Sequence, residues 1–340
     1  MNGFSNLVNN LLNGLTSTVM SAVGGVIGGV ASAISSAITG LFASIFGSGF
    51  SCGAPGGAIG STVGDAICNF VASVDTLPGL ITALSYLMGL ILAISALLKL
   101  KDHVLDPHRT PLSDPMKRLL AGAALFSLPV ITEALQSLWG GGDTTLLSVT
   151  AYAGQVSGGG GLDTMMVALF RDIYGPMMGL LYSFAYFAGL VLTVFGILRI
   201  IKTAQDGPRG PAGFGTIMMF AVAGALFSSV TLMEAFSVSI FNSPDIATFA
   251  VLQTSSNDLI VDNHILAVIS TVLVFMTIVG WISFLRGFFI LRDVAEGHGQ
   301  ASLMVSLTHI FGGALAVNLG PLMNMVQSTF GLTSFGVVFT

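Results

Sequence analysis

The chain has 340 residues, 53% of them hydrophobic and 8% charged, with a net charge of -5 and a mean hydropathy of +0.89. Soluble domains carry about 25% charged residues, so the composition argues against a water-covered surface, and the acidic balance offers no basic face for nucleic acid. Segments of about 20 apolar residues cross a bilayer as helices, which satisfy their own backbone polar groups; the expected class is an all-α, polytopic transmembrane protein.

Residues 1 to 64 contain no charged side chain, and Asp65 is the first. The opening "MNGFSNLVNN" lacks the Lys/Arg-bearing start of a secretory signal, so no cleaved leader is expected. From Val19 onward, large apolar residues recur with helical spacing at Val23, Val26, Val30, Ile34, Ile38 and Leu41. The other faces carry small residues: Gly24, Gly28, Ser32, Ser36 and Gly40 form one ladder, with Gly25 and Gly29 on its neighbour. Such ladders let helix backbones approach closely in lipid, which predicts a Gly/Ala/Ser-rich N-terminal helix that packs with other helices or with its own copies. Cys52 and Cys68 flank a glycine-rich stretch and can form a disulfide if that stretch faces an oxidising compartment; two buried thiols are the alternative.

Six apolar segments follow, at 79–98, 119–139, 177–198, 215–241, 265–291 and 303–327. They suggest an N-terminal segment over 1–78, a first hairpin over 79–139, and a Gly-rich external loop over 140–176. A second hairpin over 177–241, an external loop over 242–264 and a third hairpin with tail over 265–340 complete the division. Every lysine and arginine but Arg171 lies within or beside a hairpin link. The first link holds Lys99, Lys101, Arg109, Lys117 and Arg118, the second Arg199, Lys202 and Arg209, and the third Arg286 and Arg292. Short Lys/Arg-rich loops stay cytoplasmic, so these links are expected inside and the uncharged start and the acidic loops outside.

The first two hairpins read as copies of one unit. Tyr86 matches Tyr186, Gly89 matches Gly189, "ALFS" recurs at 124–127 and 225–228, and Glu133 matches Glu234. The third keeps the basic turn and "GAL" but no glutamate. A carboxylate in a membrane segment suggests a role in ion or proton passage. Yet Glu133 follows Arg118 by 15 positions, about 22 Å of straight helix, which favours an interfacial or contact role for it and for Glu234. Trp139 and Trp281 suit interface anchors. His309 suits a hydrogen-bonded core position, and the loop histidines His103 and His108 make a weak metal signal. "GPRGPAGFG" at 207–215 lacks the ending of a phosphate loop and reads as a turn. No catalytic signature is recognisable; no enzyme activity, cofactor or metal is expected.

The first hairpin resembles one family. Lys99 and Lys101 at a basic helix end, "PLSDP" at 111–115 and "AGAALFSLP" at 121–129 are similar to IcmC/DotE-type inner-membrane proteins of type IVB (Dot/Icm, IncI-conjugation) secretion systems. The resemblance covers 79–139 well and the second hairpin loosely. Known members have fewer hairpins and no long glycine-rich start. It implies a non-enzymatic subunit of an envelope translocation apparatus in the bacterial inner membrane, contacting other envelope-spanning subunits and the lipid bilayer and assembling as a homo-oligomer. Direct nucleic-acid binding is not expected. A solute or ion transporter or channel, and a secreted pore- or filament-forming subunit, are the rival expectations.

Overall fold

The computed structural model describes residues 62–74, 77–105, 112–139, 161–206, 214–243, 246, 250–252, 259–297, 302–332 and 337–339, all within the compact unit Ser51–Thr340. The glycine-ladder residues from Gly24 to Gly40, together with Cys52, Arg109 and Arg209, lie outside them.

Helix α1 (Val63–Val74) opens on a reciprocal cap. The Asp65 amide donates to Thr62 Oγ1 at 3.1 Å, and the Thr62 amide donates to the Asp65 carboxylate at 3.2 Å. Each partner satisfies an amide that the first helical turn leaves open. The chain then alternates long and broken helices. Helix α2 (Leu77–Leu105) precedes α3 (Ser113–Phe126) and α4 (Leu128–Ser137). Helix α5 (Leu162–Asp206) precedes α6 (Phe214–Phe227) and α7 (Ser229–Phe241). After strand β1 (Ala250–Leu252), α8 (Leu259–Ala295) precedes α9 (Leu303–Val317) and α10 (Leu319–Thr329). Strand β2 (Val337–Phe339) follows.

Among the described residues three helical stretches are long and apolar enough to cross a membrane: Val63–Leu105, Met165–Ile200 and His264–Ala295. The pairs α3–α4, α6–α7 and α9–α10 raise the number to six if each pair is one span, but they bend by 72°, 78° and 80°. The straight second arms expected at 119–139, 215–241 and 303–327 are therefore corrected. Two breaks have a visible cause in proline, which lacks an amide and clashes with the carbonyl four residues earlier. Pro129 stands in the first turn of α4, and Pro321 just after the start of α10. The middle break, at Ser228-Ser229, has no proline and uses a serine pair instead.

Two boundaries and one added element also differ from the sequence reading. Helix α5 starts at Leu162, inside the stretch assigned to the Gly-rich loop, because Met165, Met166, Ala168 and Leu169 continue a helix-forming run ahead of Pro176. Helix α8 starts at Leu259, inside the expected loop over 242–264. Antiparallel pairing of β1 with β2, in the register Ala250 with Phe339 and Leu252 with Val337, adds a small ribbon to an otherwise helical structure.

Lipid gives apolar helices no hydrophobic reason to associate, so close packing must hold them. The core lies where α5, α6 and α8 meet, around Trp281, Met178, Val222, Leu226 and Val274, each nearly or fully buried. Helix α2, by contrast, shows Leu80, Leu84, Leu87, Ile91, Ile94 and Leu98 on its surface, the outline of a lipid-facing helix. Buried Thr193, Thr271 and Thr277 donate to the carbonyl four residues earlier in their own helices, which satisfies hydroxyls without a partner helix.

Candidate functional site

Each long helix crosses the next broken one at a pair of small residues five positions before the break. A Cβ added to Gly89 would lie 3.0 Å from the Gly122 carbonyl, and one on Gly189 3.0 Å from the Ala223 carbonyl. At the third crossing a Cβ on Gly280 would lie 2.8 Å from the Gly313 carbonyl, and one on Gly313 2.5 Å from the Phe284 amide. The backbones touch there, and any larger residue must push them apart.

The three breaks share one backbone conformation. Ser127 has φ -89° and ψ 16°, Ser228 has φ -102° and ψ 23°, and Asn318 has φ -98° and ψ 35°. This is the bridge region between helix and strand. At each, the break residue's amide still bonds the carbonyl four before it (to Ala123, Gly224 and Ala314), while its own carbonyl accepts from the amide four after it (Ile131, Leu232 and Leu322). The ladder continues at one residue while the axis turns.

Polar groups then tie the breaks in series. Ser228 Oγ donates to the Gln136 carbonyl at 2.9 Å, and Trp139 Nε1 donates to the Ala221 carbonyl at 3.2 Å. These bonds hold the end of α4 against α6. Ser237 Oγ donates to Asn318 Oδ1 at 2.8 Å, and the Asn318 amide nitrogen donates to the Ala314 carbonyl at 3.0 Å. Phe236 packs on Phe311 with ring centroids 6.0 Å apart. Helix α7 is thereby tied to the break between α9 and α10. Asn318 is fully buried, and a buried amide left unpaired costs about 1–3 kcal/mol.

The acidic positions fall just beyond the breaks. Glu133 and Glu234 each stand six residues past one, the first exposed and the second half-buried. Asn324 holds the corresponding place after Asn318, and its side chain bonds the Phe339 amide at 2.9 Å and carbonyl at 2.7 Å, anchoring β2. The depth assigned to Glu133 from a straight helix is corrected by the bend. Only the nine residues from Arg118 to Ser127 run along α3, about 13 Å.

Cationic residues gather at one end. Asp114 is paired with Lys99 and lies 3.7 Å from Arg118 Nε. Glu296, nearly buried, receives Arg199 at 3.0 Å and Arg292 at 3.2 Å, joining the end of α5 to the end of α8. Lys101 and Lys202 are exposed and Lys117 is half-buried, while Arg286 is exposed on the body of α8. At the opposite end of α5, the Gly64 amide donates to the Asp172 carboxylate at 2.8 Å, with Arg171 exposed beside it. Cys68, buried in α1, is disulfide-bonded.

Trp281 is not an interface anchor. It is fully buried, edge-on to Tyr182 at 5.2 Å and to Phe284 at 5.7 Å. Trp139 is 39% exposed and bonded to α6. His309 is half-buried, with Nδ1 3.0 Å from Ser283 Oγ. Tyr182 Oη and Trp281 Nε1 are buried without a hydrogen-bond partner among the described residues. No group of three potential metal ligands occurs among the described residues. The break residues Ser127, Ser228 and Asn318 escaped the sequence reading, although "SLP", "SS" and "NLGP" marked them. No family model, curated protein or solved structure matches this chain.

Proposed function

We propose that the protein is a non-enzymatic structural subunit of a type IV, IVB-like secretion or conjugation apparatus in the bacterial inner membrane. Its three long-plus-broken helix pairs are copies of one duplicated hairpin, and its N-terminal small-residue helix packs with copies of itself. Basic turns face the cytoplasm. The observation that carries the reading is the recurring crossing, Gly89 with Gly122, Gly189 with Ala223 and Gly280 with Gly313, joined in series by Ser228 and Ser237. That is an architecture of packing and docking, as a scaffold requires. The ion-paired cluster at Arg199, Arg292 and Glu296 and the disulfide-bonded Cys68 near the other end of α5 support the orientation, since disulfides persist on the oxidising side of a membrane. The test is gentle detergent extraction of a tagged chain and identification of what accompanies it. Other envelope proteins are the expected result, and a lone monomer overturns it.

A second reading, solute or ion passage, has its own support. Broken helices are the usual setting of transporter sites, and Tyr182 Oη and Trp281 Nε1 are buried polar groups with no hydrogen-bond partner among the described residues. Flux in liposomes that disappears with Glu133→Gln plus Glu234→Gln, while assembly persists, would select it.

A further inference from the structure

Among the described residues the chain makes a helix-to-break contact twice, and the corresponding two halves at its ends make no such contact. In the first instance the end of α4 sits on α6: the Leu135 carbonyl would be 2.6 Å from a Cβ on Gly224, and Gln136 and Trp139 hydrogen-bond to Ser228 and Ala221. In the second, Phe236 and Ser237 of α7 meet Phe311 and Asn318 of α9 and its break. Counted from the breaks, one correspondence is common to both: the residue nine after one break, Gln136 or Ser237, meets the next break, Ser228 or Asn318. In the first contact Leu135 and Trp139, eight and twelve after the break, lie at Gly224 and Ala221, four and seven before the next, and in the second Phe236 lies at Phe311, seven before.

Carried to the ends of the chain with the first contact as template, the same placement names two surfaces that have no such partner among the described residues. The receiving positions on α3 are Leu120, Ala123 and Ser127. Leu120 is 72% exposed, Ala123 is exposed and Ser127 is half-buried, whereas Gly224 and Ser228, and likewise Ala314 and Asn318, are buried. The donating positions on α10 are Val326, Gln327 and Phe330, with Val326 39% and Phe330 75% exposed. Chemistry matches as well as exposure. Gln327, like Gln136, stands nine residues after its break, near a helix end. Each carbonyl accepts one local amide, from Leu332 at 2.9 Å and from Trp139 at 3.2 Å, and a carbonyl has a second lone pair. In the α4 contact that second acceptor site takes the Ser228 hydroxyl; Ser127 carries the hydroxyl at the equivalent place on α3, where it donates at 3.2 Å to the Ala124 carbonyl of its own helix and would turn from that local acceptor to the incoming carbonyl.

We propose that a second copy of this chain docks head-to-tail, its α10 laid on the exposed face of α3 as α4 is laid on α6. Ser127 Oγ donates to the second copy's Gln327 carbonyl, and Phe330 takes the place against Leu120 that Trp139 holds against Ala221. Because the two surfaces differ, the contact is heterologous, and copies joined this way close into a ring or extend as a filament. The inference deepens the assembly reading and rests on it only for the expectation that copies meet.

The experiment uses two differently tagged full-length chains co-expressed in native membranes, one carrying Ser127→Cys and the other Gln327→Cys, treated with copper phenanthroline. A disulfide joining the two tags is expected, with no same-tag dimer from either chain alone. Ala123→Trp on the receiving chain should reduce the mixed link by about tenfold or more. A third chain with Gln136→Cys and Ser228→Cys must form its internal bridge in the same membranes, which shows that oxidation reaches this depth. If that bridge forms and the mixed link does not, the face is lipid-covered and the proposal falls. It falls equally if Ser127→Cys chains link to themselves or to a different protein. None of these outcomes depends on which proteins accompany the chain on extraction.

Discussion

At the scale of single residues, contact between backbones decides which glycines matter. Gly313 and its neighbour Gly312 are alike in sequence, yet a Cβ on Gly313 would lie 2.5 Å from the Phe284 amide while one on Gly312 meets nothing within 4 Å. Gly313→Val should destabilise the detergent-solubilised chain by about 1–3 kcal/mol or more, the cost of overpacking against backbone. Gly312→Ala should be neutral or stabilise by up to about 1 kcal/mol, through helix propensity. Thermal melts of the two variants check this, and equal losses would show that the crossing is loose. Asn318 and Ser237 form a second residue-scale test. Removing Ser237 Oγ alone leaves the Asn318 carbonyl oxygen short of a donor. Ser237→Ala and Asn318→Ala should each cost about 1–3 kcal/mol, and a double-mutant cycle should return a coupling of at least about 0.5 kcal/mol. Strict additivity would mean that the bond is not made.

At the scale of elements, the breaks change what the apolar segments do. With α4 turned 72° from α3, seven residues of α4 advance about 10 Å along their own axis but only about 3 Å along that of α3. Fluorophores placed at Val130 and Ser137 should therefore be quenched at nearly the same bilayer depth when α3 stands along the membrane normal. A depth difference near 10 Å would mean a straight arm. The apolar segments themselves were legible, because length and composition report membrane compatibility, and so was the basic turn at Lys99, Lys117 and Arg118. The breaks were not. Ser228-Ser229 looks like an ordinary pair of small polar residues in an apolar run, and even Pro129 is compatible with a mild kink. The start of α5 was missed because the apolar segment was counted from 177 and the Gly-rich stretch ahead of it was assigned to a loop, whereas the helix begins at Leu162 and carries Arg171, Asp172 and Pro176 within it. Asn324 was invisible for another reason: its partner, Phe339, is distant in sequence and brought near only by folding.

At the scale of the whole molecule, the charge asymmetry makes an orientation test. Cysteines introduced as Arg109→Cys and Arg209→Cys should not react with a membrane-impermeant maleimide applied to intact cells, and should react after the cells are opened. Cys68, disulfide-bonded, should become reactive only after reduction, with the unsubstituted chain as the blank. Labelling of both loops from outside inverts the topology. The candidate site was partly legible at this scale too. Glu133 and Glu234 lie on two of the three helices that follow a break, but the residues that join one hairpin to the next, Gln136, Ser228, Ser237 and Asn318, carry no charge, and only the short signals "SS" and "NLGP" stand at two of them. Their roles arise from hydrogen bonds that folding alone brings together.

Helix α5 has a consequence of its own. Its apolar stretch Met165–Ile200 covers 36 residues, about 54 Å of helix against a hydrocarbon thickness of about 30 Å. Even a 40° lean, the upper end of what spanning helices adopt, leaves about 41 Å of vertical reach. A helix of this length that crosses the bilayer must stand proud of the hydrocarbon at one end or both, and Met165, Met166 and Leu169, 70%, 41% and 43% exposed at its first turns, would then need headgroups, water-side protein or another chain to cover them.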